Sequence, residues 1–402
     1  MPNHRLPALA LSLLGVFGPR LALAQAESGE QSKLEAHYFG TAAYSGSNNA
    51  DLMPRANLRQ GFGASPEGTF GVDSKTGVQL DYHPNDKLTL TGMAYCEEAM
   101  KNSCPKLLWA YLKWDISEDY ALKAGRFRLA PFLGSEAQEV GYLSSWARNP
   151  IELYNTYPSD DINGAQLEKA WSAGSGEIRV SGVAGNQSGN IANAGNYSVN
   201  IAAAKLRGSW PSFDWVLAAT RYKFNYDIGP DLTGLNQNAT LIGYPDLADA
   251  YSSPASGWLC SAGGHWGPEK SPWFAQAELG YRTSDKLFAN TLVSGYLMGG
   301  LRQGPISLFA SRGFARNLTP TQESRGGPLN SYYQQALNQA TWDHSSWIVG
   351  GRYEINKNWD AKFQMGWHKS SGGNDATVFS PSGPSAPASS FREAVISLDF
   401  LF

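Results

Sequence analysis

The residues whose types and spacing suggest chemistry lie between positions 126 and 161, and they are charged rather than nucleophilic. Arginines and acidic residues are scattered through a segment that is otherwise rich in aromatic and aliphatic side chains. Opposite charges that face each other across a narrow aqueous passage create a transverse field, which filters solutes by charge and dipole. The stretch therefore predicts a charged constriction formed by Arg126, Arg128, Glu136, Glu139, Arg148, Glu152, Asp160 and Asp161.

The apolar content of the same stretch indicates a loop that is packed rather than solvated. Phe132, Tyr142 and Trp146 are among its large side chains, and a solvated surface loop seldom carries so much apolar material. We therefore expect residues 130–161 to fold back against the inside of the structure and to narrow the passage. The alternative is an extracellular lid, or a loop at a contact between subunits, with no role in selectivity.

Histidines and acidic pairs elsewhere show no catalytic or metal-binding spacing. The scattered histidines are His37, His83, His265, His344 and His368. Asp343 and His344 are neighbours in a predicted loop, where a solvated polar loop explains them more simply than a hydrolase does. Asp160, Asp161 and Asn163 offer oxygen ligands for Ca²⁺, but the bidentate Glu of an organised calcium loop is missing. The sequence predicts no enzyme, no metal and no cofactor.

Alternation of polar and apolar residues over runs of about ten predicts an all-β chain. Aromatic residues make up 12% of the sequence and charged residues only 17%, and the net charge of −3 leaves no basic footprint for nucleic acid. There are ~16 such runs, an even number that a closed bacterial barrel requires. They begin near Lys33, Thr76, Lys87, Leu107, Tyr120, Ile162, Gly176, Ser198, Phe213, Pro254, Pro272, Lys286, Pro305, Ser345, Trp359 and Ser390.

The connections alternate between short turns and long polar loops. Aromatic residues flank nearly all the short turns, as they do where a barrel meets the membrane interface. We therefore predict a transmembrane antiparallel β-barrel with short periplasmic turns and long extracellular loops. The predicted turns are 83–86, 116–119, 172–176, 209–212, 266–271, 302–305 and 355–358, and the predicted loops are 46–75, 97–106, 130–161, 186–197, 225–253, 316–344 and 370–388.

The face of each strand follows from the cost of placing a charge in lipid, about 2–4 kcal/mol at mid-depth. In the strand from Phe213, Tyr222 and its apolar neighbours are placed outward. In the strand from Tyr120, Lys123 and Arg126 fall on opposite faces. We place Arg126 inward as the residue nearer mid-depth and let Lys123 reach the interface. The predicted lumen wall carries Arg179, Arg221, Glu278, Arg352 and Lys362.

Residues 1–26 have the features of a cleaved signal peptide. A positive charge precedes an apolar run, and small residues at Ala24 and Ala26 fit a cleavage site, which leaves a barrel domain at 27–402. Export to an oxidising compartment favours a loop disulfide between Cys96 and Cys104, with two unrelated thiols as the alternative. Cys260 is predicted to be an inert small residue.

Residues 110–155 resemble the corresponding region of Gram-negative porins. The matching residues are Gly125, Arg126, Pro131, Phe132, Tyr142, Trp146, Pro150, Glu152 and Tyr154, and the terminal Phe402 is similar to the family's assembly signal. The resemblance is strong over 107–165 and 272–315. It implies a water-filled, homotrimeric channel of ~16 strands in a Gram-negative outer membrane, in contact with lipid and lipopolysaccharide. The loop after Gly125 differs from the acidic constriction motif of enterobacterial general porins, so the resemblance implies no particular selectivity.

These observations predict passive diffusion of small hydrophilic solutes and ions through the lumen. One alternative is substrate-selective uptake, in which Tyr142, Trp146 and Tyr154 stack on a sugar or an aromatic acid. Another is a structural or adhesive barrel whose long loops bind a surface partner. An open lumen gives ohmic conductance steps, a selective channel adds saturable block by its solute, and a plugged barrel gives no conductance.

Overall fold

Sixteen antiparallel strands close into one barrel in the computed structural model of this protein. The structure describes residues 34–97, 104–156, 161–191, 195–373, 375, 377–381 and 387–402. The predicted signal peptide at 1–26 lies outside the described residues. Among the described helices, none is both long and apolar enough to cross a bilayer.

Each barrel strand pairs with its neighbours in the chain, and the first pairs with the last, so the described sheet has no free edge. The strands are β1 (Leu34–Ser47), β2 (Lys75–Asn85), β3 (Leu88–Glu97), β4 (Lys106–Asp115), β5 (Tyr120–Arg128), β6 (Asp161–Ala173), β7 (Gly176–Ile191), β8 (Gly195–Trp210), β9 (Phe213–Tyr226), β10 (Ala255–Trp266), β11 (Trp273–Arg282), β12 (Leu292–Gln303), β13 (Ile306–Asn317), β14 (His344–Glu354), β15 (Trp359–Ser370) and β16 (Ser389–Leu401). The predicted strand count is confirmed.

Two predicted connections differ from the observed ones. The prediction treats 186–197 as a loop, but β7 and β8 continue through most of it. Its polar residues still form ladder pairs, and Asn190 donates a hydrogen bond to the side chain of Asn196 at 3.2 Å. The strand predicted from Lys286 begins only at Leu292, because residues 283–291 form the β11–β12 loop.

Short helices lie within three of the long loops. They are α1 (Ile151–Tyr154), α2 (Gly229–Leu241), α3 (Pro245–Ala250) and α4 (Asn330–Ala340). Helices α2, α3 and α4 share a small apolar core over the loop end of the barrel, built around Leu247, Tyr251, Tyr333 and Leu337. Loops were predicted here, because the helices are short and α2 and α4 are rich in Asn and Gln.

Strand β9 faces the opposite way from the prediction. Tyr222 is buried on the inward side, whereas Leu217 is 49% exposed on the outward side that it shares with Arg221. Arg221 donates a hydrogen bond to the Gly257 carbonyl at 2.9 Å and lies over the Trp258 ring. The prediction that Arg221 lies in the lumen is therefore wrong. It fails because the inward side of β9 lines an aromatic cavity and is not polar.

Candidate pore constriction

The β5–β6 loop, residues 129–160, lies inside the barrel as far as it is described. Hydrogen bonds tie it to the inward faces of strands far apart around the barrel. Ser261 on β10 donates to the Pro131 carbonyl, Leu133 N donates to Glu278 on β11 at 2.6 Å, and Lys362 on β15 donates to the Gly141 carbonyl at 2.6 Å. The loop therefore crosses the lumen from one wall to another.

Arg148 is the central anchor of this loop. Its guanidinium lies between two carboxylates, with Nε and Nη2 donating to Asp73 at 2.8 and 2.5 Å and Nη1 donating to Glu393 on β16. The Arg148 backbone N–H donates to the Gln364 side chain at 3.3 Å, and the Arg148 carbonyl accepts from that amide at 3.1 Å. All four side chains are buried, so Arg148 holds the loop by charge-assisted bonds in a nearly dry site.

The large loop aromatics pack against the wall. The ring centroid of Trp146 lies 5.5 Å from that of Tyr296 and 4.7 Å from that of Phe309. The Tyr142 hydroxyl donates to the Lys357 carbonyl at 2.9 Å, and the Tyr154 hydroxyl donates to the Glu278 carboxylate at 2.7 Å. Since all three aromatics are buried, they do not offer a solute the free faces that the stacking alternative requires.

Charged side chains of the loop meet charged side chains of the wall. Glu136 lies 3.0 Å from Lys205 and 3.4 Å from Arg207, both on β8. Glu139 lies 2.7 Å from Arg128, whose Nε is 3.4 Å from Asp161. The predicted residue Asp160 lies outside the described part of the chain. Glu136 and its two partners keep 15–26% of their side-chain surface exposed, so these three charges are partly accessible to water.

The Glu136 carboxylate of this contact titrates far below neutral pH. Burial raises the pKa of Glu136, but the charges of Lys205, Arg207 and Lys123 outweigh burial and hold that pKa at about 2. The unfolded value is ~4.3. A depressed folded-state pKa means that the ion pairs are complete above about pH 4 and are lost as the pH falls through about 2.

We expect Glu136→Gln to shift ion selectivity towards anions, because it removes the negative side of the contact. Between pH 7 and about 4 the wild-type and variant permeability ratios should differ by a constant amount, and the difference should fall to about half as the pH reaches about 2. Reversal potentials in a salt gradient, recorded at each pH, give the permeability ratios of the wild-type protein and the variant. Convergence already at pH 5 would show that the Lys205 and Arg207 contacts do not act on this carboxylate.

Arg126 and Lys123 exchange the places predicted for them. Lys123 is buried on the inward side, with its ammonium 4.9 Å from the Tyr111 ring centroid and 5.1 Å from the Phe127 ring centroid. Arg126 has the opposite parity, and its Nε donates to the backbone carbonyl of Leu108 at 2.9 Å. The prediction that Arg126 lines the lumen is wrong. Because β5 ends at residue 128, Lys123 and not Arg126 lies near the middle of the strand.

The other predicted wall residues lie on the inward faces of their strands. Arg179 pairs with Glu177, and Glu278 accepts hydrogen bonds from the loop. Arg352 lies 2.9 Å from Asp360, while Lys362 lies 3.3 Å from Asp360 and 2.9 Å from Asp399. Lys205 and Arg207 were not predicted, although their shared parity on β8 places both on the inward face.

The weaker chemical candidates of the sequence are separated or otherwise engaged. Asp161 is buried and already accepts a hydrogen bond from Trp109 at 3.0 Å and contacts Arg128, whereas Asn163 is exposed. Asp343 is partly exposed and pairs with Arg316 at 3.7 Å. Its neighbour His344 is buried on the inward side. The Asp343 carboxylate accepts from the Asn317 backbone N–H at 2.7 Å, whereas the His344 imidazole contacts Asp375 and His368, so the two side chains have different partners.

Two of the three cysteines form a disulfide and the third is a free thiol. Cys96 at the end of β3 and Cys104 form a disulfide across the β3–β4 loop. Cys260 on β10 is a free thiol with an exposed side chain.

A cavity of about 1240 Å³ opens at the long-loop end of the barrel, above the β5–β6 loop. A row of aromatic rings runs along one side of it: Tyr197, Phe224, Tyr226 and Phe288, with successive centroids 5.5, 5.3 and 5.6 Å apart. The side chain of Arg282 also lines the cavity. Tyr197 is buried, whereas Phe224, Tyr226 and Phe288 are half-buried and line the cavity, so these three rings are the part of the row on which a flat or apolar solute can stack. The row was not predicted from the sequence.

No protein-family model matches the sequence, and no curated protein matches it. Solved structures match the fold. OmpT of Vibrio cholerae, an outer-membrane protein, has a TM-score of 0.53 at 11% identity, over 94% of this chain and 100% of that one. The outer-membrane channel DcaP of Acinetobacter baumannii has a TM-score of 0.52 at 10% identity, over 93% and 100% of the two chains. An anion-selective porin from Comamonas acidovorans has a TM-score of 0.52 at 8% identity, over 92% and 100%. This protein therefore has the sixteen-stranded barrel fold of outer-membrane porins.

Proposed function

We propose that this chain is an outer-membrane channel for passive diffusion of small hydrophilic solutes and ions, rather than an enzyme. The observation that carries the proposal is the partly exposed contact between Glu136 on the inward loop and Lys205 and Arg207 on the wall. A closed barrel of this size leaves room for water, and opposite charges that face each other inside it act on any solute that passes between them.

Substrate-selective uptake is the second candidate, and the aromatic row of the long-loop cavity favours it. A solute that enters from that end would meet Tyr226 and Phe288, which stack with an interplanar angle of 8°. Stacking on aromatic faces suits a sugar ring or an aromatic acid. The solute would meet the cavity first and the charged constriction second.

Planar bilayer recording of the purified protein tests both candidates. We expect discrete ohmic steps in simple salt. Selective uptake adds saturable block by an aromatic acid or a sugar, and Tyr226→Ala should weaken that block without abolishing conductance. Tyr332→Ala, which changes another aromatic of the same cavity outside the row, is the matched control. Absence of any conductance in correctly folded protein would favour a structural or adhesive barrel.

The homotrimer in lipid and lipopolysaccharide is part of the same proposal. Light scattering of the protein in detergent measures the number of chains in the particle. Three conductance levels in each insertion event would support three pores. A monomeric particle with a single conductance level would contradict the trimer but would still agree with a channel.

A further inference from the structure

Three side chains far apart in the sequence meet inside the barrel in an arrangement suited to a metal ion. Glu152 belongs to helix α1 of the β5–β6 loop, His344 begins β14, and His368 lies near the end of β15. One ligand atom from each lies within 4.8 Å of the other two. The three residues are 0, 1 and 3% exposed, so bulk water competes little for these atoms.

The distances fit a small tetrahedral ion. Nε2 of His344 lies 3.1 Å from Nδ1 of His368 and 3.9 Å from Oε1 of Glu152. Zinc with bonds of ~2.0–2.2 Å holds tetrahedral ligand atoms ~3.3–3.5 Å apart, so small side-chain adjustments suffice. Neither carboxylate oxygen of Glu152 has a hydrogen-bond partner among the described residues. Burying a carboxylate in this way is costly, and a bound cation would offset that cost.

The second nitrogen of each imidazole meets a carboxylate, as is usual for histidines that bind metals. Nδ1 of His344 lies 2.8 Å from Oδ2 of Asp375, and Nε2 of His368 lies 3.3 Å from Oε1 of Glu393. Phe391 packs against both imidazoles, with ring centroids 6.0 and 4.7 Å away. These contacts orient the rings so that Nε2 of His344 and Nδ1 of His368 point towards each other and towards Glu152.

A glycine on the neighbouring strand leaves room for the third ligand. A Cβ atom at Gly313 on β13 would lie 2.8–2.9 Å from the carboxylate atoms of Glu152. We propose that Glu152, His344 and His368 bind one divalent transition-metal ion of the zinc type, with water as a fourth ligand. Two imidazoles and a carboxylate suit such an ion, whereas Mg²⁺ and Ca²⁺ need a shell of oxygens.

The bound ion fastens helix α1 to strands β14 and β15. Arg148 already ties the same loop to Asp73 and Glu393, so the metal adds a second attachment beside it. The site does not depend on what passes through the lumen, and it stands even if the barrel does not conduct.

Zinc binding by the untagged, metal-stripped full chain in detergent tests the proposal. We expect one Zn²⁺ per chain in a titration against a chromophoric chelator, and excess Mg²⁺ should not displace it. Co²⁺ in the same site should give the intense visible absorption of tetrahedral coordination. Failure of the wild-type protein to bind Zn²⁺, or its displacement by Mg²⁺, overturns the proposal.

Substitutions distinguish this site from adventitious binding at other histidines. Glu152→Gln and His368→Gln should each weaken Zn²⁺ binding by more than about tenfold, and Asp375→Asn by about 10–100-fold. The control is His83→Gln, near the end of β2 beside its short turn, which should leave the affinity unchanged. Equal affinity in wild type and Glu152→Gln overturns the proposal. Heat-modifiable migration in electrophoresis shows whether each variant is folded. If a variant does not fold, the Zn²⁺ titration of the wild-type protein still tests the proposal.

Discussion

Arg148→Met should destabilise the protein by about 3–5 kcal/mol, the usual cost of removing one partner from a buried charge cluster. Asp73 and Glu393 would remain 6 and 3% exposed with no cation between them. We expect the β5–β6 loop to leave its position, and we expect larger and noisier conductance steps as a result. Urea unfolding in detergent, followed by tryptophan fluorescence, measures the stability, and bilayer recording measures the release of the loop.

Two controls separate the charge cluster from a general effect of losing an arginine. Arg316→Met removes a pair that is 3.7 Å long and more than half exposed at the arginine, so its cost should be below about 1 kcal/mol. The triple variant Asp73→Asn, Arg148→Met, Glu393→Gln removes the uncompensated charges and should recover most of the lost stability. Equal stability of wild type and Arg148→Met would show that Arg148 does not hold the loop.

Ile396→Arg should cost about 2–4 kcal/mol and lower the yield of folded barrel, because it places a charge against the lipid core. Ile396 is in the middle of β16, is 59% exposed, and faces outward between Tyr44 and Phe363 on the adjacent strands. Its neighbour Ser397 lies buried on the inward side. Folding yield into lipid vesicles and urea unfolding from them measure the effect.

Ile306→Arg is the matched control for this prediction. It makes the same change on an outward side chain, at the first residue of β13 beside a short turn. At the membrane interface the cost should fall to about 0–1 kcal/mol. If Ile396→Arg folds as well as Ile306→Arg, then the outward face of β16 does not meet lipid.

The barrel was largely predictable because its rules are local. Alternation within a strand and the residues of a tight turn both span only a few positions, and the turn near 172–176 is observed between Ala173 and Gly176. The aromatic and aliphatic content of the β5–β6 loop likewise predicts burial without knowledge of any partner. These signals place the loop in the lumen, where the structure has it.

The partners within the lumen were not predictable, because they depend on contacts across the barrel. Arg148 meets Glu393 across 245 positions of the chain, and no local pattern links the two residues. The face of β9 was misassigned because the polar-inside rule assumes a uniformly wet lumen, and the face of β5 because the strand ends at Arg128, which puts Lys123 near its middle. Lys123 on β5 is buried among aromatic rings and loop residues, and β9 presents Tyr222 and Phe224 to the cavity.

The attachment of the β5–β6 loop to the last strands has a consequence for biogenesis. Its acceptor residues on β15 and β16, Lys362 and Glu393, lie at the far end of the chain from the loop. The loop therefore cannot reach its final position until the C-terminal strands have arrived, and contacts of such long sequence separation form late. Newly made chains should pass through a stage in which most barrel strands have paired but the β5–β6 loop is not yet docked in the lumen. At that stage the loop should be accessible to proteases.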